Sequence, residues 1–168
     1  MTIESHLDQM TDKALSSLIR HYLSELGNRF EESPASSTFH HNWKGGLRQH
    51  IEEVLDIGND IICACSLDDV DIDHFTAAAI LHDLGKVGTY YYDREQKRYM
   101  KYYGVRGDHS IAPLIWFLKN GYKLPETISL AVLGHMGGWS KTSIYPDTML
   151  ATVLASADMI SSRLEAKR

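Results

Sequence analysis

Six side chains of this 168-residue chain are of the types that hold transition metals: His50, His82, Asp83, His109, His135 and Asp158. Two of them are adjacent. His82 and Asp83 close the apolar run Ala77-Ala78-Ala79-Ile80-Leu81, and Gly85 and Lys86 follow. Burying a carboxylate beside an imidazole costs several kcal/mol unless something pairs with it. A divalent metal is the usual partner. A helix C-terminus, with Gly85 as its cap and Lys86 answering the dipole, accounts for the same residues without chemistry. Successive helix residues differ by about 100° around the axis. His82 and Asp83 therefore span a wide arc, which suits one ligand to a single metal and one carboxylate bridging two. Four histidines and two aspartates suit Mn²⁺, Fe²⁺, Zn²⁺, Co²⁺ or Ni²⁺ better than Ca²⁺ or Mg²⁺.

The elements that must position these residues read mostly as helices. Leu15, Leu18, Ile19, Tyr22, Leu23 and Leu26 recur at helical spacing and predict one helix from Asp8 to about Glu31. Glu32 to Thr38 is a loop by composition. A second helix starts near Trp43 or Gly45, with Asn42 a possible cap, and runs to about Cys65. Its buried stripe is Leu47, Ile51, Val54, Ile57 or Gly58, Ile61 and Ile62. His50 lies on that stripe, where a satisfied core histidine is the ordinary outcome. Gly45-Gly46 suggests close approach of another backbone or of a substrate. The third helix spans about Asp73 to Leu84. Tyrosines on either side of a polar break, at 89–93 and 98–103, predict a short β-hairpin. A fourth helix starts around Gly107–Ser110 and stops at Gly121, and a fifth runs from Pro125 to about His135. The last starts near Pro146 and buries Leu150, Val153, Leu154, Ala157, Ile160 and Leu164, with Asp158 beside that face. His50 and Asp158 thus sit among core residues, while His82, Asp83, His109 and His135 sit at helix ends, which can converge on one cavity.

Composition narrows the function. The length suits one domain with a real core: residues 1–38 form an N-terminal helix and loop, and 39–168 the site-bearing body. A formal net charge of −5 argues against an extended nucleic-acid footprint, which needs a basic face. It leaves room for a nucleotide or a short strand held by local cations. No apolar run reaches membrane-spanning length and no N-terminal stretch reads as a signal peptide. Cys63 and Cys65, one residue apart, read as buried or half-buried thiols of a reducing cytosol, so a cytoplasmic protein is the expectation.

Taken together, His50, His82-Asp83 and Asp158 resemble the H…HD…D signature of the HD-domain superfamily of metal-dependent phosphohydrolases. His109 and His135 match the two extra histidines of its two-metal branch. The resemblance covers about 39–163. The run His41-x-x-x-Gly45-Gly46-Leu47-x-x-His50 is similar to the corresponding segment of bacterial HD-domain 3′–5′ exoribonucleases. The fold then expected is all-α: an HD-domain bundle of about six helices with one small hairpin.

The resemblance implies two divalent transition metal ions (Mn, Fe, or Zn, Co or Ni). His50, His82 and Asp158 would complete one, His109 and His135 the other, and Asp83 would bridge them. A hydroxide activated by two metals would attack phosphorus in a phosphate ester of a nucleotide or short oligonucleotide. Lys86 would hold a phosphate oxygen. His41 and Arg106 are further phosphate contacts, against plain surface solvation. Trp139, just past His135, can stack on a base, against simple packing. Lys141 is a weaker phosphate candidate. The same six ligands also occur in HD-fold mixed-valent di-iron oxygenases, and a non-catalytic nucleotide-sensing module is a third reading.

Overall fold

The computed structural model describes residues 1–103, 109–137 and 145–165. Among them the fold is all-α apart from one two-stranded sheet. The helix expected over 8–31 is three helices: Ile3–Gln9 (α1), Lys13–Leu26 (α2) and Asn28–Glu32 (α3). The first break has a remote cause. The Asp73 carboxylate accepts from the backbone N–H groups of Thr11 and Asp12 and from the Thr11 hydroxyl, donors that a continuous helix would have turned inward. Asp12 then caps α2 by accepting from the Leu15 N–H. The second break is Gly27, with φ +50°.

The helix Gly46–Ala64 (α4) follows its expected stripe: Leu47, His50, Ile51, Val54, Leu55, Gly58 and Ile62 are buried. Ile57 and Ile61 are only partly buried. Gly58 takes the inward position because the Phe75 ring lies 2.0 Å from where its Cβ would stand. The N-cap is Gly45 in the left-handed region, not Asn42. Cys63 and Cys65 are exposed, since the end of α4 runs past the core.

Ile72–Leu81 (α5) is the central helix. Every residue from Phe75 to Leu81 is buried, the pattern of a helix enclosed on all sides. It stops at His82, earlier than the periodicity predicts, and Leu84–Lys86 continue as a 3₁₀ turn. Tyr90–Asp93 (β1) and Arg98–Lys101 (β2) pair antiparallel, with Tyr92 opposite Tyr99 and Tyr90 opposite Lys101. The remaining helices are Ile111–Lys119 (α6), Glu126–Gly134 (α7) and Met149–Glu165 (α8). Gly121, at φ +76°, ends the chain's run beyond α6, as expected of a left-handed stop.

The main packing is α4 on α8, α5 on α7 and α7 on α8. Leu150, Val153, Leu154 and Ala157 face this core, but Ile160 and Leu164 are exposed. Over its last turns α8 buries Ser161 instead, because that hydroxyl meets His50. No helix among the described residues is long and apolar enough to cross a membrane.

Candidate metal centre

The six ligand-type residues converge. His50 comes from the second turn of α4, His82 and Asp83 from the end of α5, His109 from just before α6, His135 from the end of α7 and Asp158 from the middle of α8. His50 and His82 are fully buried, and Asp83 is 1 % exposed. Asp83 stands at the middle. Its Oδ2 lies 3.4 Å from His50 Nε2 and 3.5 Å from His82 Nε2. Its Oδ1 lies 3.0 Å from His109 Nε2 and 3.8 Å from His135 Nε2. The two oxygens of one carboxylate thus face two different pairs of histidines. Asp158 Oδ1 joins the first pair, 3.1 Å from His50 Nε2.

The imidazoles are oriented for metal binding. His82 Nδ1 donates to the Ala79 carbonyl and His135 Nδ1 to the Val132 carbonyl, each at 2.7 Å. A carbonyl oxygen only accepts, so these Nδ1 atoms carry the protons and the Nε2 lone pairs point at the centre. His50 Nδ1 meets Ser161 Oγ at 3.0 Å, and that hydroxyl donates to Glu53 Oε2 at 3.0 Å. Among the described residues, His50 Nε2, His82 Nε2 and Asp83 Oδ1 are buried atoms without a well-formed hydrogen bond. Buried polar atoms are normally satisfied. Lone pairs aimed at one another across a carboxylate fit a divalent cation, and the donor set of imidazole and carboxylate suits a first-row transition metal.

Local sequence fixes these positions. His82 and His135 each follow the last turn of an apolar helix, so their rings fold back onto a carbonyl three residues earlier. Gly85 is not a left-handed cap. A Cβ there would stand 1.9 Å from the His109 carbonyl oxygen, so glycine is what lets the His109 segment approach. Gly46 serves the same way, with the His41 carbonyl oxygen 2.1 Å from its would-be Cβ. That bears out the expected close approach at Gly45-Gly46, with a backbone as the approaching group.

Charge completes the picture. Burial opposes ionisation of Asp83, but the Lys86 ammonium and the surrounding histidines hold its carboxyl well below the usual range. Burial also opposes the Lys86 charge, and the Asp83 carboxylate outweighs it, keeping the ammonium. Lys86 Nζ donates to Asp83 Oδ2 at 2.6 Å. Burial pushes His82 down to about 3 and lowers His135, so both are neutral near pH 7. At His50 burial is outweighed by Asp158 and Asp83, and its pKa rises. Asp158 is held below its usual range, because the His50 contact exceeds the cost of burial.

Around the centre, the outcome for the remaining candidates is mixed. His41 is buried, not at the surface, with Nε2 3.2 Å from Glu53 Oε2. Its backbone is in the left-handed region, at φ +48°, and its Nδ1 lies 3.2 Å from His40 Nδ1. His40, to which the sequence assigned no role, packs its ring 4.8 Å from that of His50, and burial pushes it down to about 4. His40, His41 and His50 bring ligand atoms within 4.8 Å of one another, as do His50, His82 and Asp83, and Asp83, His109 and His135. Arg106, Trp139 and Lys141 lie outside the described residues.

An open cleft of about 420 Å³ borders His135 and Asp158 and is lined by Met136, Met159, Ser162 and Arg163. Arg163 was not a sequence candidate, although it stands five residues after Asp158 on the same helix. A hollow of about 460 Å³ under α1, lined by His6, Asp56 and Asp60, shares no residue with the ligand cluster.

The HD domain model, among models of protein families, matches residues 47–164. No solved structure matches the chain. The matched span contains His50, His82, Asp83, His109, His135 and Asp158 and covers well over half of the sequence, so the chain belongs to the HD domain family, of the superfamily of metal-dependent phosphohydrolases.

Proposed function

We propose that this chain is a two-metal phosphohydrolase acting on a phosphodiester of a nucleotide or short oligonucleotide. One observation carries the reading: two trios of ligand atoms, His50–His82–Asp83 and Asp83–His109–His135, share a single carboxylate. Asp158 adds a second carboxylate to the first trio. The whole chain acts as one HD unit, with α1–α3 as an extension packed on α4 and α5.

When bound, divalent transition metal ions would supply Lewis-acid polarisation of phosphoryl oxygens and acidify water. The protein's part follows from its own residues. Asp83 stays ionised and presents one oxygen to each trio. Neutral His82 and His135 offer lone pairs, their tautomers fixed by Ala79 and Val132. Lys86 binds a non-bridging phosphoryl oxygen as a point charge, and Arg163 meets anionic substrate entering the neighbouring cleft. In the reaction a water oxygen forms a bond to phosphorus, the bond to the leaving oxygen breaks, and the leaving alkoxide ends with a proton from that water.

The test is turnover by metal-loaded protein. Under anaerobic Mn²⁺ the protein should cleave bis(p-nitrophenyl) phosphate and members of a panel of cyclic nucleotides and dinucleotides. Asp83→Ala should lose both metal and activity. Uptake of O₂ by iron-loaded protein with no ester cleavage would replace hydrolysis by the di-iron oxygenase reading. Tight nucleotide binding without turnover would make the chain a sensor.

A further inference from the structure

Against the hairpin lies an open cleft of about 280 Å³, large enough for one base and part of its sugar. One wall is the hairpin. Tyr92 stands opposite Tyr99, and Tyr90 is two residues from Tyr92, so the register puts all three on one face. The Tyr92 and Tyr99 rings pack edge-on with centroids 5.3 Å apart, and half of Tyr92 remains exposed. The other wall carries Arg29 and Lys44. Lys44 is paired with Glu32 at 3.0 Å, an exposed pair of the kind that contributes little and exchanges readily for phosphate.

Both walls are tied to the metal centre by short stretches of chain. Lys44 stands six residues before His50, and Gly88 stands two residues after Lys86. The tyrosine wall begins four residues after Lys86, and the Tyr90 hydroxyl is close enough to Lys86 and Asp83 to feel both charges. One cleft thus borders the centre at His135 and Asp158, and the second begins at Gly88 and Tyr90, just past Lys86 in the chain. A phosphomonoester has one organic arm to place, and a phosphodiester has two. Aromatic faces interleaved with cations, on a chain whose net charge is −5, are what single-stranded nucleic acid requires locally.

We propose that the cleft between the tyrosine face of the hairpin and Arg29–Lys44 holds the nucleoside next to the scissile phosphodiester of a single-stranded oligonucleotide, its base stacked on Tyr92 or Tyr99 and its outer phosphate on Lys44 and Arg29. The inference rests on the hydrolase reading for its catalytic consequence and on its own geometry for binding.

The experiment separates the two. In the Tyr92→Ala/Tyr99→Ala protein, kcat/KM for a tetranucleotide should fall at least about tenfold, chiefly through KM, as expected for losing one stacked base. Cleavage of methyl p-nitrophenyl phosphate, a diester with only one aromatic arm to place, should not change. Tyr102→Ala, outside the cleft, should alter neither. An equal fall on both substrates, or no fall on the tetranucleotide, overturns the proposal. Binding is read separately by fluorescence anisotropy of a labelled tetranucleotide on metal-free protein. Wild-type binding that the double variant and Lys44→Glu both weaken supports the cleft even if neither substrate is cleaved, an outcome that would sink the hydrolase reading alone. Unchanged binding in the variants, or binding of an oligosaccharide in preference to the tetranucleotide, overturns it.

Discussion

A single methyl group at Gly85 should separate the two halves of the metal centre. In Gly85→Ala the new Cβ would stand 1.9 Å from the His109 carbonyl oxygen and 2.8 Å from its carbon, where real Cβ contacts essentially never fall below 3.0 Å. The gap must open by about 1 Å. Gly85 cannot supply that movement, because its turn is held by the Lys86 N–H to Asp83 and Val87 N–H to Leu84 hydrogen bonds and by the buried Leu84 side chain. His109 must retreat instead. Its Nε2 is 3.0 Å from Asp83 Oδ1 and 3.3 Å from His135 Nε2, so a 1 Å retreat spoils both relations. Functional geometry tolerates only about 0.5 Å.

The second trio should therefore lose about 10- to 100-fold in metal affinity, while His50, His82 and Asp158 keep theirs. The overpacking should cost about 1–3 kcal/mol of stability. Equilibrium dialysis against fixed free Mn²⁺, followed by metal analysis, should give close to half the wild-type content at intermediate metal. Gly88→Ala is the control. Its Cβ would meet nothing within 4 Å, so only the strain of its φ of +78° is paid and metal binding should be unchanged. Wild-type affinity at both steps in Gly85→Ala, with an unshifted melting temperature, would refute the argument that His109 is set by this contact.

Two further outcomes are expected. Ser161→Ala removes the partner of His50 Nδ1, so metal affinity at the first trio should fall about tenfold or more, with little change at the second, measured by competition with a chromogenic chelator. The chelated protein should lose stability on acidification. His82 is neutral when folded down to about pH 3, and the unfolded chain takes that proton near 6.5, so stability present above about 6.5 is lost as pH falls toward 3. His40 and His135 act in the same direction. His50 acts oppositely, since its raised pKa adds stability below 6.5 that fades as pH rises through its folded value. Three groups against one predict a melting temperature in EDTA that drops from pH 7 to pH 5; a flat or rising profile would contradict the burial of these rings.

His82 and Asp83 were legible because a His-Asp pair ends an apolar helix, whereas His50, on a core stripe, and His109, His135 and Asp158 gained their roles through the family resemblance. Helix existence followed from period, and five of the six expected helices stand. The split of the first depends on Asp73, a carboxylate from a different helix, and nothing local to Met10–Asp12 announces it. The burial of His41 was not legible either, since it depends on a left-handed backbone at φ +48° and on its carbonyl packing against Gly46. Ile160 and Leu164 were assigned inward by spacing, but the inward position on that turn belongs to Ser161. The link from His50 through Ser161 to Glu53 did leave a trace. Glu53 is three residues after His50 and Ser161 three after Asp158, so each polar pair shares a helix face. That trace becomes readable only once α4 is known to lie against α8.

The pairing of α4 with α8 also bears on how the protein is made. His50 and Ser161 are 111 positions apart, and Asp158 comes from the same late helix. A chain emerging from the ribosome presents His50, then His82 and Asp83, then His109 and His135, before Asp158, the second carboxylate at the first trio. Until α8 emerges, α4 has an open apolar face, and His50 lacks Ser161 and Asp158 and has only Asp83 near its Nε2. Closing so long a loop is slow relative to forming the local helices. The centre is thus finished only once α8 has docked on α4, and ions captured earlier would be held by an incomplete set of side chains on a partly formed core.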